Sequence, residues 1–335
     1  MNKTRIALLG FGNVGRSLAR YISERENLTS RLDIAAVVDS SGAAILDSPS
    51  QVGALLAAKS HGHSIVRTGI GRTIPVQSDL FRAISDQDIR VLIESLPTNI
   101  RDGQPALDMI RAALLKGLSV VTVDKGPMVR GFDDLAQAAT ASGARLEFTG
   151  TTGVPIPEQI AGKQVLEIRG VLNGTTNYIL TQMQESGAGF DEALSRAQQD
   201  GIAEPDPSLD VQGWDTACKI LILARALMGA TASLEEVARK GIGPEIESLI
   251  QAGKTTGRVV RLVGRARIWQ GRVRVSVAPK LIDAGSPFYS VAGTSKAAVF
   301  RTVEQDIVAH GKSGRDSIAE TIVDDLFRVV SLSSS

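Results

Sequence analysis

The stretch Gly10-Phe11-Gly12-Asn13-Val14-Gly15 constrains the fold more than any other feature of this chain. A short apolar run at 6–9 precedes it, and helical spacing over 14–22 follows it. Strand, glycine loop and helix in that order make a phosphate-binding turn. Gly10 permits the tight turn, Gly12 lets backbone approach a pyrophosphate, and Gly15 lets helix and strand pack closely. The helix N-terminus adds unpaired N–H groups and a positive dipole end. A glycine-rich turn that binds nothing is the alternative, and the ordered context argues against it. The next strand, 34–38, ends at Asp39. A carboxylate there can accept hydrogen bonds from ribose hydroxyls and repel a 2′-phosphate, which favours NAD over NADP; capping of the following turn is the alternative. Ser40 and Ser41 could instead contact a phosphate, which leaves NADP open.

Further short strands read at 91–94, 119–123 and 145–148, alternating with helices at 51–59, 105–116 and 133–141. That alternation predicts an α/β fold, a doubly wound parallel sheet of Rossmann type. Residues 40–80 read as a long excursion over the sheet. Ligands in such folds bind beyond the carboxyl ends of the strands. Ser95, Leu96 and Lys125 stand there, so they are cofactor-site candidates; for Lys125 a solvated surface position is the alternative. The second half differs. It reads as a strand at 165–172, helices at 178–185, 190–199 and 209–228, and alternating strands at 259–266 and 272–278. A final amphipathic helix covers 317–330. These patterns predict a dinucleotide-binding domain over 1–149, an α+β domain over 150–312, and a C-terminal segment over 313–335.

Composition sets outer limits. At 335 residues the chain is long enough for two domains. A net charge of +1 argues against nucleic acid or an anionic membrane as a general partner. No apolar run approaches the ~20 residues of a membrane span. The N-terminus lacks a signal-peptide pattern, so a cytoplasmic location is expected. One cysteine and three histidines leave little for a zinc site.

The densest polar constellation is 204–219, EPDPSLDVQGWDTACK. Two prolines stiffen the loop. Asp215 and Lys219 are four residues apart on a helix and share a face. An exposed ion pair of that kind contributes only ~0.3–0.5 kcal/mol. Lys219, however, enters the apolar run at 220–224, which favours a partly desolvated lysine in a cleft. Gly213 could leave room for a ligand, and Cys218 reads as core packing. Asn173-Gly174-Thr175-Thr176 leaves a strand and opens a helix, whose N–H and hydroxyl groups could hold a carboxylate or simply cap the helix. Glu147 ends a strand before the turn at 150–155.

Four motifs, GFGNVG, VTVDKGP, GVLNGTTNYIL and AEPDPSLDVQGWDTACK, together resemble the homoserine dehydrogenase family. The last two are the most specific. The resemblance implies NAD(P)-dependent interconversion of L-homoserine and L-aspartate 4-semialdehyde, in threonine and methionine biosynthesis. It implies a Rossmann domain, a substrate domain that forms a homodimer, and a C-terminal helix returning to the first domain. It makes Lys219 and Asp215 catalytic, with Lys125 beside cofactor and substrate. It assigns Glu204 and Asp210 to the substrate amino group and Gly174 and Thr175 to the substrate. It assigns Glu147, Gly150, Thr152 and Val154 to a Na+ or K+ ion. Three positions depart from the family. Asp124 replaces an asparagine, 149–153 reads TGTTG, and Gly311-Lys312-Ser313-Gly314 replaces a glycine-rich cofactor loop. The sequence ends at Ser335 without the extra regulatory region of longer members, so threonine feedback is not expected. Two other readings are a semialdehyde dehydrogenase, which needs a reactive thiolate, and a dinucleotide-binding sensor, which has no need of 204–219.

Overall fold

The computed structural model describes residues 3–75, 88–312 and 316–331. The chain divides into two compact units, Met1–Thr151 with Gly314–Ser335, and Thr152–Ser313.

Unit 1 holds seven strands: β1 (Thr4–Leu9), β2 (Leu32–Asp39), β3 (Gly42–Ile45), β4 (Arg72–Pro75), β5 (Val91–Glu94), β6 (Ser119–Thr122) and β7 (Leu146–Glu147). They lie in the order β4-β3-β2-β1-β5-β6-β7. From β2 to β7 all pairings are parallel. The helices are α1 (Asn13–Ser23), α2 (Glu26–Thr29), α3 (Ser50–Ser60), α4 (Ala106–Leu115), α5 (Lys125–Arg130) and α6 (Phe132–Ser142). The sheet is therefore mixed at one edge. β3 and β4 add to β2 in antiparallel register, so the supposed excursion at 40–80 contributes two short edge strands to the sheet, with α3 between them. The short run Gly42-Ala43-Ala44-Ile45 is too small and too uniform to show a strand period. Residues 76–80 of that reading lie outside the described residues. Burial explains the near-continuous apolar strands: Ile6, Leu8, Val37, Val91 and Ile93 share one core with Leu18 and Ile22 of α1. Ile322 and Leu326 of the C-terminal helix, Ser317–Ser331, join that core.

Unit 2 is a six-stranded sheet with helices. Its strands are β8 (Val165–Val171), β9 (Ala238–Arg239), β10 (Val259–Trp269), β11 (Arg272–Ile282), β12 (Ala297–Thr302) and β13 (Asp306–His310). The order is β13-β12-β8-β10-β11-β9. All pairs are antiparallel except β11 with β9. The helices are α7 (Gly174–Ser186), α8 (Phe190–Gln199), α9 (Ser208–Val211), α10 (Trp214–Met228) and α11 (Ile246–Thr256), and the C-terminal helix of unit 1 is α12. The single helix expected over 209–228 is two, because Gly213 adopts φ +80 and breaks it. α10 crosses the sheet at Gly264, where an added Cβ would stand 3.1 Å from Ile220 and Thr216. β9, β12, β13 and α11 were not legible in the sequence. Among the described residues no helix is long and apolar enough to cross a membrane.

The glycine loop yields a stability test. A Cβ on Gly15 would lie 2.1 Å from the Gly10 carbonyl oxygen, so backbone must move. Gly15→Ala should destabilise the protein by about 1–3 kcal/mol, read by urea unfolding. An unchanged midpoint would show that helix and strand do not need this approach.

Candidate active site

Unit 1 presents a phosphate cradle. Gly10 takes φ +102, and its Cβ would meet the Ser95 carbonyl at 2.6 Å. Gly12 caps α1, and nothing lies within 4 Å of where its Cβ would be. Two glycines thus serve packing, while the third leaves open space beside the helix N-terminus. Ser95 donates from its hydroxyl to the Gly10 carbonyl at 3.1 Å, tying β5 to the loop. Phe11 is buried in the core, so only its backbone faces outward. Arg16, which sequence reading missed, donates to the Gly12 carbonyl at 3.2 Å and to Asn13 Oδ1 at 2.9 Å. Its helical spacing looked like that of any surface arginine. Val14 is half-buried against the core.

Asp39 is not a bare carboxylate. Its Oδ2 accepts from Lys59 Nζ at 2.8 Å, and its Oδ1 accepts from the Ser41 amide at 2.7 Å and hydroxyl at 2.5 Å. Burial opposes its charge, but these donors win and hold it below its ordinary value. Lys59 comes from α3, 20 residues away, and no local pattern links the two. Ser40 is exposed.

The ends of β5 and β6 carry a buried acidic pair. Glu94 is 0% exposed; its carboxylate accepts from the Leu96 amide at 2.7 Å and the Thr122 hydroxyl at 2.6 Å. Thr122 also accepts from the Asp124 amide at 3.0 Å. Asp124 caps α5 by accepting from the Gly126 amide at 2.8 Å. Burial, then the Asp124 charge, push Glu94 up to about 8. Burial also raises Asp124. Lys125, half-buried, opens α5 directly after this pair.

In unit 2 the constellation closes around Asn173. Its Nδ2 donates to Asp210 at 2.6 Å and to Asp215 at 2.7 Å. Its Oδ1 accepts from the Thr176 amide at 2.7 Å, which caps α7. Asp215 pairs with Lys219 at 2.6 Å, their side chains only 11% and 14% exposed. Lys219 also donates to the Leu172 carbonyl at 2.9 Å. Burial, then the Asp215 charge, raise Asp210. Thr175 donates to the Ile202 carbonyl at 3.2 Å. Gly174 lies against Thr294, with 3.0 Å from a would-be Cβ to that carbonyl.

Not every expected residue joins. Glu204 is exposed, and the described residues give its carboxylate no hydrogen bond or ion pair. Gly213 borders Val277 and Arg239, which a Cβ there would meet at 3.4 and 3.6 Å. Cys218 is 0% exposed, which removes the accessible thiolate a semialdehyde-oxidising mechanism needs. In unit 1, Glu147 sits 3.4 Å from the Arg328 guanidinium. In the same unit, a Cβ on Gly150 would meet Val123 at 2.5 Å. In unit 2, Thr152 donates its hydroxyl to the Val154 carbonyl at 2.7 Å. Among the described residues no group of three His, Cys, Asp or Glu could hold a metal ion. Ser313 and Gly314 lie outside the described residues.

Comparison with known proteins places these features in context. A homoserine dehydrogenase family model matches residues 154–327. A homoserine dehydrogenase of Methanocaldococcus jannaschii is 31% identical, over 97% of this chain and 98% of the relative. An NAD(+)-dependent homoserine dehydrogenase of Pseudomonas canavaninivorans is 31% identical over 98% of this chain and 97% of its own. The crystal structure of a homoserine dehydrogenase from Thiobacillus denitrificans superposes with a TM-score of 0.80 at 26% identity, covering 100% of this chain and 74% of that one.

The buried acidic pair predicts a pH dependence. Glu94 holds its proton up to about 8 in the folded state against 4.5 ordinarily. The folded state therefore binds more protons across that window, and stability falls as pH rises through it. Glu94→Gln mimics the protonated form. Its melting temperature relative to the parent should rise from acid to pH about 8, reflecting a few kcal/mol at ~1.4 kcal/mol per unit. Parallel curves would show that Glu94 ionises freely in the folded protein.

Proposed function

Because this chain belongs to the homoserine dehydrogenase family, we propose that it interconverts L-homoserine and L-aspartate 4-semialdehyde, with unit 1 binding the dinucleotide and unit 2 the amino acid. The observation that supports this most is the Asn173-bridged network of Asp210, Asp215 and Lys219. A dinucleotide-binding sensor has no use for a lysine held this firmly.

The open face at Gly12, the helix N-terminus and Arg16 fit a pyrophosphate. Backbone groups of Gly10, Phe11, Gly12, Asn13, Val14 and Gly15 would line it, with Ser95, Leu96 and Lys125 at neighbouring strand ends. Asp39 and Ser40 would meet the adenosine ribose. When bound, the nicotinamide supplies the hydride acceptor for the alcohol and the hydride donor for the aldehyde. Lys219 carries the proton at the substrate C4 oxygen. Two of its N–H groups are committed to Asp215 and to the Leu172 carbonyl, which leaves the third for that oxygen. Asp215 orients the ammonium, and Lys125 acts beside cofactor and substrate. Asp210, with Glu204 from the exposed loop, takes the substrate ammonium; Gly174 and Thr175 lie along the substrate. The Glu147 carboxylate and the Val154 carbonyl already hold partners that a Na+ or K+ ion would have to displace, so no step is routed through a cation. We further infer a homodimer through unit 2, whose β10–β11 hairpin exposes Ile268 at 41% and Trp269 at 50%. Light scattering after gel filtration tests it.

Two assays test the enzyme reading. Lys219→Ala should lower kcat for homoserine oxidation by about 10²–10⁴-fold while NAD binding persists; full activity would remove Lys219 from the mechanism. Cofactor choice forms the second test. Asp39 repels a 2′-phosphate, while Lys59 offsets that charge at 2.8 Å. Asp39→Ala should narrow the preference for NAD over NADP, and Lys59→Ala should widen it. Identical ratios in both variants would place cofactor selection elsewhere.

A further inference from the structure

Lys296 precedes β12 and has no part in the network described above. Ala297 lies opposite Val171 in the β12–β8 register, so Lys296 stands across from Leu172, whose carbonyl holds Lys219. The lysine's own carbonyl accepts from the Gly311 amide at 2.9 Å. A Cβ on Gly311 would lie 3.1 Å from Lys296 Cβ and 3.2 Å from its Cε, so the stem runs along that backbone. The loop before it is pinned to α7. Asn177 donates to the Val291 and Ser295 carbonyls at 3.1 Å each, and the Gly293 amide donates to Thr181 at 3.0 Å. These anchors hold Lys296 near the turn that carries Gly174 and Thr175.

Lys296 is half-buried, and the described residues give its ammonium no hydrogen bond or ion pair. Among the described residues Lys219 and Asp215 are the charges that act on it; burial first and then Lys219 lower it, while Asp215 opposes them. Asp215, however, is already committed to Lys219 and Asn173. A desolvated cation without a counter-ion is costly and calls for an anion.

We propose that Lys296 binds the α-carboxylate of the amino-acid substrate, opposite the acidic groups that take its ammonium. The assignment rests on the proposed substrate, and the test separates the two.

Steady-state rates at saturating NAD would be measured with L-homoserine and with L-homoserinamide, which keeps the ammonium and alcohol but lacks the carboxylate charge. Lys296→Gln should lower kcat/KM for homoserine roughly 10- to 100-fold, chiefly through KM, while homoserinamide changes little. Lys296→Arg should keep most of the homoserine activity. Equal losses on both substrates, or losses in kcat alone, would overturn the proposal. So would full activity of Lys296→Gln on homoserine. If the Gln variant melts below the assay temperature, Lys296→Met decides by the same ratio. A parent chain that oxidises neither compound would overturn the substrate reading itself, and the carboxylate assignment with it.

Discussion

The side-chain amide of Asn173 is the interaction on which unit 2 depends. Asp210 and Asp215 repel each other, and both are largely removed from water. Left alone, two such carboxylates would separate or protonate. The Asn173 amino group donates one hydrogen bond to each. Its carbonyl oxygen caps α7 through Thr176. Few side chains can do all of this: the residue needs two donors and an acceptor on one rigid fork. Aspartate would add a third negative charge, and serine has only one proton to donate. Because Asn173 also follows β8, one residue fixes helix, acids and, through Asp215, the lysine.

Unit 1 solves a different problem. The proposed dinucleotide carries the charge, so the protein would supply backbone rather than side chains. The three motif glycines divide that work. Gly10 and Gly15 have no room for a Cβ, whereas Gly12 has open space. The first two let strand and helix approach; the open one leaves the helix N-terminus reachable. Behind the loop, the buried Glu94 secures the Leu96 amide and Thr122 while keeping its own proton. It braces two adjacent strand ends and adds no negative charge at neutral pH.

Much of this was legible in the sequence where spacing was local. The glycine loop sits within six residues, and the Asp215–Lys219 pair spans one helical turn. A lysine entering an apolar run signals desolvation, and its 14% exposure agrees. What escaped notice depended on distance along the chain. Lys59 meets Asp39 across 20 residues, and Asn173 meets Asp210 across 37. No period of 2 or 3.6 reports such contacts. β3 was missed because Gly and Ala carry almost no strand signal. The break at Gly213 was missed for a related reason: only a structure shows that its φ is positive.

The charges of unit 2 also bear on the proposed zwitterionic substrate. Asp210 and Asp215 supply two negative groups; Lys219 and Lys296 supply two positive ones. Apart from the exposed Glu204 these four sum to zero, yet they are not paired out: Lys219 pairs with Asp215, and the described residues give Lys296 no ion pair. An α-amino acid brings one ammonium and one carboxylate. Each can meet its opposite without leaving a surplus charge in the low-dielectric interior, where surplus charge is most expensive. A simple alcohol would leave Asp210 and Lys296 both uncompensated. A hydroxy acid would satisfy only the lysine, and an amino alcohol only the acid. On the proposed reading, selectivity for the amino-acid form would follow from unmet burial costs on the protein's own groups, more than from any added attraction.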